Sequence, residues 1–240
     1  FQMLLQTFQM PKNKTNLELE KSLFSRGALL VAGMDEVGRG CLAGPVSVGV
    51  TVIDINCTKN EKLPPKNLTD SKELTSVQRQ DLLPSINDWV LEHAVGHSSN
   101  EEIDEFGLTR ALRRAGRRAL NSLKLKPDYL ILDGKHNWLM PEKESQELFD
   151  GLIDDGSISE KLKIVSQVKA DLTCASVSAA SVVAKTTRDE IMKSLHEEFP
   201  NYLWHENKGY AAPEHLDAIK KHGPSKYHRI SWKTFNQDQS

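Results

Sequence analysis

Residues 30–45 read LVAGMDEVGRGCLAGP, and the fold turns on this stretch. An apolar run, 29–34, reads as a strand and ends on two adjacent acids, Asp35 and Glu36. A buried strand delivering carboxylates to one rim of a sheet has this pattern. Side chains alternate along a strand, so adjacent acids face opposite ways unless the strand ends there. A turn at Val37-Gly38 would bring both to the same rim. Gly38, Arg39 and Gly40 follow at once. They do not form a G-x-G-x-x-G fingerprint, because a strand-like segment comes next rather than a helix. The tripeptide reads either as a plain turn or as backbone N–H groups and one guanidinium set against a phosphate or sugar.

Working outward, the β-branched run 46–53 predicts a second strand, and the short Gly- and Pro-containing link favours an antiparallel pair. Thr75 can cap a helix over 77–83 that Pro84 perturbs at its end. A third strand is expected over 89–97. Leu108, Ala111, Leu112, Ala115, Ala119, Leu120 and Leu123 recur at helical spacing. The same helix carries Arg110, Arg113, Arg114, Arg117 and Arg118, either a solvated face or a one-sign surface for nucleic acid. A short strand over 129–132 ends at Asp133, and a fifth strand is expected over 163–169. Ala170-Asp171 opens a long helix to about residue 195, and Pro213 fits the first turn of a last helix, 213–221. Three consecutive strands, then helices alternating with two more, predict an α/β sandwich around a mixed sheet whose first three strands are antiparallel. Residues 1–26 read as a flexible tail with one short helix at 17–24. Residues 27–232 form the main domain, helical from about 200, and 233–240 form a polar tail.

The chain has 240 residues, 38% of them hydrophobic, enough for one large domain with a real core. Its net charge is -2, so any nucleic-acid binding must use local patches. No apolar run approaches the roughly 18 residues that a membrane span needs. The N-terminal stretch is too interrupted by Gln for a signal peptide. Cys41, Cys57 and Cys174 are odd in number and far apart, which argues against a disulfide scaffold or zinc site. A reducing, cytoplasmic setting is expected. The eight histidines show no zinc spacing, and Ser176, Ser178 and Ser181 lie outside any G-x-S-x-G elbow.

Asp35, Glu36, Asp133 and Asp171 all fall at predicted element ends, where distant segments can converge. Each has a bland alternative: a solvated strand end, an Asp-Gly turn, an N-cap. Carboxylates brought together repel one another and call for a cation. Oxygen ligands select Mg²⁺ or Mn²⁺, and two such ions about 3.5–4 Å apart can hold the attacking and leaving oxygens of a phosphodiester. Lys72, Lys185 and Arg188 read as surface charges or as phosphate contacts. Position alone reaches only an acidic metal site.

Six blocks carry more: AGMDEVGRGCLAGPV, LTDSKELT, DYLILDG, KADLTCASVSAASVVAKTTRDEIM, NKGYAAPEH and HGPSKYHRISW, in order from about Val31 to Trp232. They resemble ribonuclease HII, the type 2 ribonuclease H. The resemblance implies an RNase H-like five-stranded mixed sheet flanked by helices, with a small helical C-terminal part. It implies Asp35, Glu36, Asp133 and Asp171 as catalytic, metal-binding carboxylates, with two Mg²⁺ or Mn²⁺ ions during catalysis. By the same resemblance Gly38, Arg39 and Gly40 hold the 2′-hydroxyl region of a ribonucleotide, and Tyr210 packs on it at the junction to DNA. Lys72, Lys185 and Arg188 match positions near phosphates. The implied activity is endonucleolytic hydrolysis of RNA in RNA–DNA hybrids, and incision 5′ of single ribonucleotides in DNA, leaving 5′-phosphate and 3′-hydroxyl ends. The implied partners are those nucleic acids, for a monomer with no membrane association. Two departures stand out: a longer segment between Asp133 and Asp171, and Trp232 where phenylalanine is commoner. A hybrid-binding module without catalysis, and a structure-selective nuclease or recombinase of the same superfold, are the competing readings.

Overall fold

A computed structural model describes residues 15–140 and 158–235. The first part of the expected tail (1–14), most of the long segment before Asp171 (141–157) and the end of the polar tail (236–240) lie outside the described residues. Five strands, β1 Leu30–Val37, β2 Val46–Asp54, β3 Glu92–Ser98, β4 Tyr129–Asp133 and β5 Lys163–Gln167, form one sheet in the order β3-β2-β1-β4-β5. β1 pairs antiparallel with β2, and β2 with β3; β4 runs parallel to β1, and β5 to β4. The mixed sheet with an antiparallel first half is therefore as its sequence predicts. The helices are α1 Glu18–Ser25, α2 Ser76–Trp89, α3 Asn100–Phe106, α4 Leu108–Ser122, α5 Ala170–Thr173, α6 Ala175–Glu198, α7 Trp204–Asn207 and α8 Pro213–His222.

Helices cover both faces of the sheet, so β1 and β2 are buried nearly throughout rather than on alternate residues. On one face α1, α2 and α6 bury Leu23, Phe24, Ile86, Trp89, Val177 and Val182 against Val31, Ile53 and Ile131. On the other, α4 buries Ala111, Leu112, Ala115 and Ala119 against Ala32, Met34, Val48 and Leu130. The small residues of α6 let it lie close to the sheet. A Cβ on Gly33 would stand 2.3 Å from the Ser176 carbonyl carbon, so that strand position admits no side chain.

Several expectations need correction. β1 does not end at Met34; it pairs with β2 through Val37, because β2 continues beside it. α2 runs through Pro84, since Ile86 and Trp89 are buried on the following turn and Trp89 Nε1 donates to the Cys57 carbonyl. Tertiary burial here overrides the local cost of the proline. The long helix is split: α5 ends at Thr173, and Cys174 is extended before α6 begins. The segment 15–26 is not a loose tail. α1 forms as expected, and Leu17, Leu23 and Phe24 are buried. Glu20 Oε1 accepts from both the Ser176 amide and hydroxyl, tying α1 to the first turn of α6. Burial raises the Glu20 carboxyl above its usual range despite those bonds. Finally, the α4 arginines are largely structural. Arg118 grips Glu102 at 2.7 and 2.8 Å, Arg114 reaches it at 3.2 Å, and Arg113 donates to the Trp138 carbonyl.

Candidate active site

β1 and β4 are paired only up to Met34 and Leu132. Asp35 and Glu36 on β1 and Asp133 on β4 come directly after that last pair. This is where open α/β sheets place ligands, outside the carboxyl ends of parallel strands. Asp35 and Glu36 lie within β1, not past its end, so pleating sends them to different sides. Asp35 is 3% exposed with Ser181 of α6 beside it, while Glu36 takes Arg39 Nη1 at 2.9 Å. Asp133 ends β4, and its Oδ1 accepts from the Ala170 amide at 2.7 Å, joining β4 to α5. Asp171 is not a cap. The residue before α5 is Lys169, in the left-handed region, and its own side chain makes no cap bond; the first amide of the helix is taken by Asp133. The Asp171 carboxylate instead meets Lys72 Nζ at 3.3 Å.

The electrostatics of this rim are those of crowded like charge. Burial, then the charge of Glu36, pushes Asp35 well above the carboxylate range. Burial raises Asp133, with Glu36 adding to it. Burial and the charges of Asp133 and Asp70 raise Asp171. Lys72 is the local counter-charge. Burial works to lower its ammonium, but Asp70 at 3.5 Å, Asp35 and Asp171 together raise it. One oxygen of Glu36, Oε2, is buried with no hydrogen-bond partner. Among the described residues, no three acidic, histidine or cysteine side chains are grouped tightly enough to hold a metal ion as they stand. The fit to a divalent cation is therefore one of donor chemistry: hard oxygens, an unpartnered buried carboxylate oxygen, and negative charge that Lys72 only partly offsets.

The glycine turn lies beside this rim. Glu36, the 38–40 turn, Lys72, Lys185 and Tyr210 line one open cleft of about 240 Å³. Gly38 has φ +84°, and a Cβ there would stand 2.2 Å from Arg188 Nε. A Cβ on Gly40 would touch nothing within 4 Å. Tyr210 is 39% exposed at the cleft, and burial of its hydroxyl end pushes the phenol up to about 12. Lys185 Nζ lies 2.6 Å from Asp189 and 5.7 Å from the Tyr210 ring centre.

Arg188 is a correction. Its side chain is fully buried and donates to the carbonyls of Pro45, Ala43 and Lys208 at 2.8, 3.2 and 2.9 Å. It braces the turn and the NKGY segment from behind and does not reach a phosphate. Sequence reasoning passed over its counterpart, Arg229. That residue is also fully buried and donates to the carbonyls of Gly38, Arg39 and Gly44. The HGPSKYHRISW block contains it, but no spacing rule marks it as internal. Asp70 was also missed. It sits in the TDSK block, accepts from the Ser181 hydroxyl at 3.2 Å, and holds Lys72 near the acids. The three cysteines are all buried and free.

The family model for ribonuclease HII matches residues 32–235. A ribonuclease HII from Streptomyces avermitilis is 40% identical over 224 residues, which is 93% of this chain and 85% of that protein. The crystal structure of ribonuclease H2 from Pyrococcus horikoshii OT3 superposes with a TM-score of 0.66 at 30% identity, covering 86% of this chain and 95% of that one. Bst-RNase HIII, in complex with Mn²⁺, shares the fold with a TM-score of 0.63 at 20% identity, over 88% of this chain and 69% of that one. The chain belongs to the ribonuclease HII family, endonucleases that cleave the RNA of RNA–DNA hybrids.

Proposed function

We propose that this cleft hydrolyses the phosphodiester on the 5′ side of a ribonucleotide, both in RNA–DNA hybrids and at single ribonucleotides in duplex DNA. The observation that carries the reading is adjacency. Glu36 lines the same cleft as the 38–40 turn, Lys72 and Tyr210; Lys72 Nζ lies 3.3 Å from Asp171, and the charge of Glu36 acts on both Asp35 and Asp133. Asp35, Glu36, Asp133 and Asp171 would hold divalent cations, Mg²⁺ or Mn²⁺. Bound ions would polarise the scissile phosphate and lower the pKa of the attacking water. Water adds at phosphorus, the bond to the 3′ oxygen breaks, and the products carry 5′-phosphate and 3′-hydroxyl ends.

The chain's own groups orient the substrate. Gly40 is not required by packing, since a Cβ there meets nothing. Its bareness is accounted for by close approach of another molecule, and the 2′-hydroxyl is the group that separates RNA from DNA at a site. Arg39 can hold a neighbouring phosphate, at the expense of its bond to Glu36. Lys72 and Lys185 add positive charge where the strand passes, and the face of Tyr210 can test the sugar beside the ribonucleotide. Arg188 takes no part in that contact; it holds the backbone that makes it.

A hybrid-binding module without catalysis is less well supported. Buried, mutually repelling acids at the rim are a stability cost that a binding groove has no use for. The test compares three duplexes with Mg²⁺ or Mn²⁺: all DNA, one internal ribonucleotide, and a continuous RNA–DNA hybrid. Cutting of the second and third, but not the first, is expected. Binding without products at any metal concentration would establish the module instead. Cutting of the all-DNA duplex would point to a structure-selective nuclease. No helix among the described residues is long and apolar enough to cross a membrane.

A further inference from the structure

Behind Tyr210 lies a buried pair of histidines that the chemistry above does not use. His215, at the start of α8, and His228 are both essentially unexposed. His215 Nδ1 is 2.7 Å from the Tyr210 carbonyl oxygen. Its Nε2 is 3.0 Å from Trp204 Nε1 and 3.1 Å from His228 Nε2. His228 Nδ1 lies 2.8 Å from the Ser225 amide and 2.9 Å from the Ser225 hydroxyl.

These contacts determine where the protons sit. An indole N–H only donates, so His215 Nε2 must accept, and the proton of neutral His215 is on Nδ1. That proton is donated to the Tyr210 carbonyl. His228 Nε2 faces the same acceptor, so it must carry the second ring's proton, leaving His228 Nδ1 to accept from Ser225. One assignment satisfies every contact, with His215 Nε2 shared between two donors. The next residue, Arg229, holds the carbonyls of Gly38 and Arg39 at 2.7 and 3.0 Å. The dipeptide His228-Arg229 thus grips Tyr210 through His215 with one residue and the glycine turn with the other.

We infer that His215 is a positioning residue for ribonucleotide recognition: through its Nδ1–H it fixes the backbone of Tyr210 relative to the Gly-Arg-Gly turn, and His228 fixes its tautomer. This rests on the reading of Tyr210 and the turn as the ribose-sensing pair. A continuous hybrid offers a ribose at every step, so small displacement of one reader costs little there. A single ribonucleotide offers one register, and both readers must meet it together.

The experiment measures kcat and KM on the single-ribonucleotide duplex and on the continuous hybrid, for wild type, His215→Leu and His215→Asn. The leucine removes the donor. The asparagine amide N–H₂ takes the place of Nδ1–H. His215→Leu is expected to lose about tenfold in kcat/KM on the single ribonucleotide, the scale of one well-placed hydrogen bond, with the hybrid changed less than about twofold. His215→Asn is expected to recover most of the loss. Equal losses on both substrates with no recovery by asparagine would reduce the pair to packing. Unchanged kinetics in the leucine variant would overturn the proposal outright. Wild-type protein that cuts the hybrid but not the single ribonucleotide would instead overturn the reading on which it rests. Long-range ¹H–¹⁵N NMR of the wild-type chain supplies a check that needs no variant to fold. His215 protonated on Nδ1 and His228 on Nε2 is expected; His215 protonated on Nε2 would refute the arrangement.

Discussion

The acidic rim and the turn beside it are opposites in how their polar groups are satisfied. At the rim, Asp35, Asp133 and Asp171 are pushed toward protonation by burial and by one another, and Glu36 Oε2 is buried without a partner. Behind the turn, Arg188 and Arg229 aim their guanidinium groups at backbone carbonyls, and the histidine pair is bonded at all four ring nitrogens. One side is left incomplete and gains from a cation and a phosphate. The other is finished in advance and can act as a rigid template. On the proposed function, a site that must both cut and discriminate would divide the work in this way, with cutting groups that wait for a ligand and reading groups already in place.

The largest way to break the contrast is Asp133→Asn. It removes one carboxylate from the rim without changing its shape. A loss of turnover of ~10³-fold is expected, corresponding to several kcal/mol of transition-state stabilisation, with circular dichroism unchanged. A near-normal rate would remove Asp133 from its assigned role. Asp35→Asn carries the complementary expectation for stability. Removing a fully buried, repelled charge should raise the thermal midpoint of the metal-free chain, while Mg²⁺ should raise the midpoint of the wild type more than that of the variant. A lower metal-free midpoint would show that the rim is not strained by its own charge.

The turn should respond to substitution in the reverse manner. Gly38→Ala must place a Cβ at positive φ, 2.2 Å from Arg188 Nε. Destabilisation of about 2–4 kcal/mol in denaturant unfolding is expected from strain and displacement of a buried guanidinium. Gly40→Ala, two residues away, meets nothing. Its stability should stay within about 0.5 kcal/mol of wild type, while cutting at a single ribonucleotide falls. Equal destabilisation by the two would mean that Gly40 is a packing residue and the cleft is not where the ribose lies.

Much of the rim was legible in the sequence, and little of the template was. Asp133 and Asp171 stand at a strand end and a helix start that the sequence pattern located, whereas Asp35 and Glu36 lie inside β1, beyond where its apolar run stops. That they share a site came from the resemblance of whole blocks, because no spacing rule links residues 35 and 171. Arg188 was misplaced because an arginine reads as a surface charge until the fold shows which carbonyls surround it. Arg229 meets Gly38 across 191 residues of chain, a separation that local pattern cannot span. Pro84 misled for a related reason. Its local cost is visible in the sequence, whereas the buried Ile86 and Trp89 that outweigh it become visible only in the packed core.

The smallest expected effect separates the two regions by the sign of their response to acid. Burial lowers both His215 and His228, and the charge that His215 would carry helps bring His228 down to about 4. A histidine whose folded pKa lies below its unfolded value of about 6.5 contributes stability that is complete above that value. That contribution is lost as pH falls from about 6.5 towards 4, because the unfolded chain takes up the proton first. The raised carboxyls of Asp35, Asp133 and Asp171 act oppositely. Their contribution is present below the unfolded value of about 4 and is lost as pH rises through the folded values. Acidifying the metal-free chain from pH 7 should therefore loosen the template as it relaxes the rim. His228→Gln isolates the first term. It should flatten the fall in thermal midpoint between pH 6.5 and 5, by a few degrees at most, and leave the rise contributed by the rim acids. An unchanged pH profile in that variant would mean that the pair already carries a proton in the folded state. With that extra proton on His215, Trp204 and His228 could not both donate to its Nε2; on His228, the Ser225 amide would lose its acceptor.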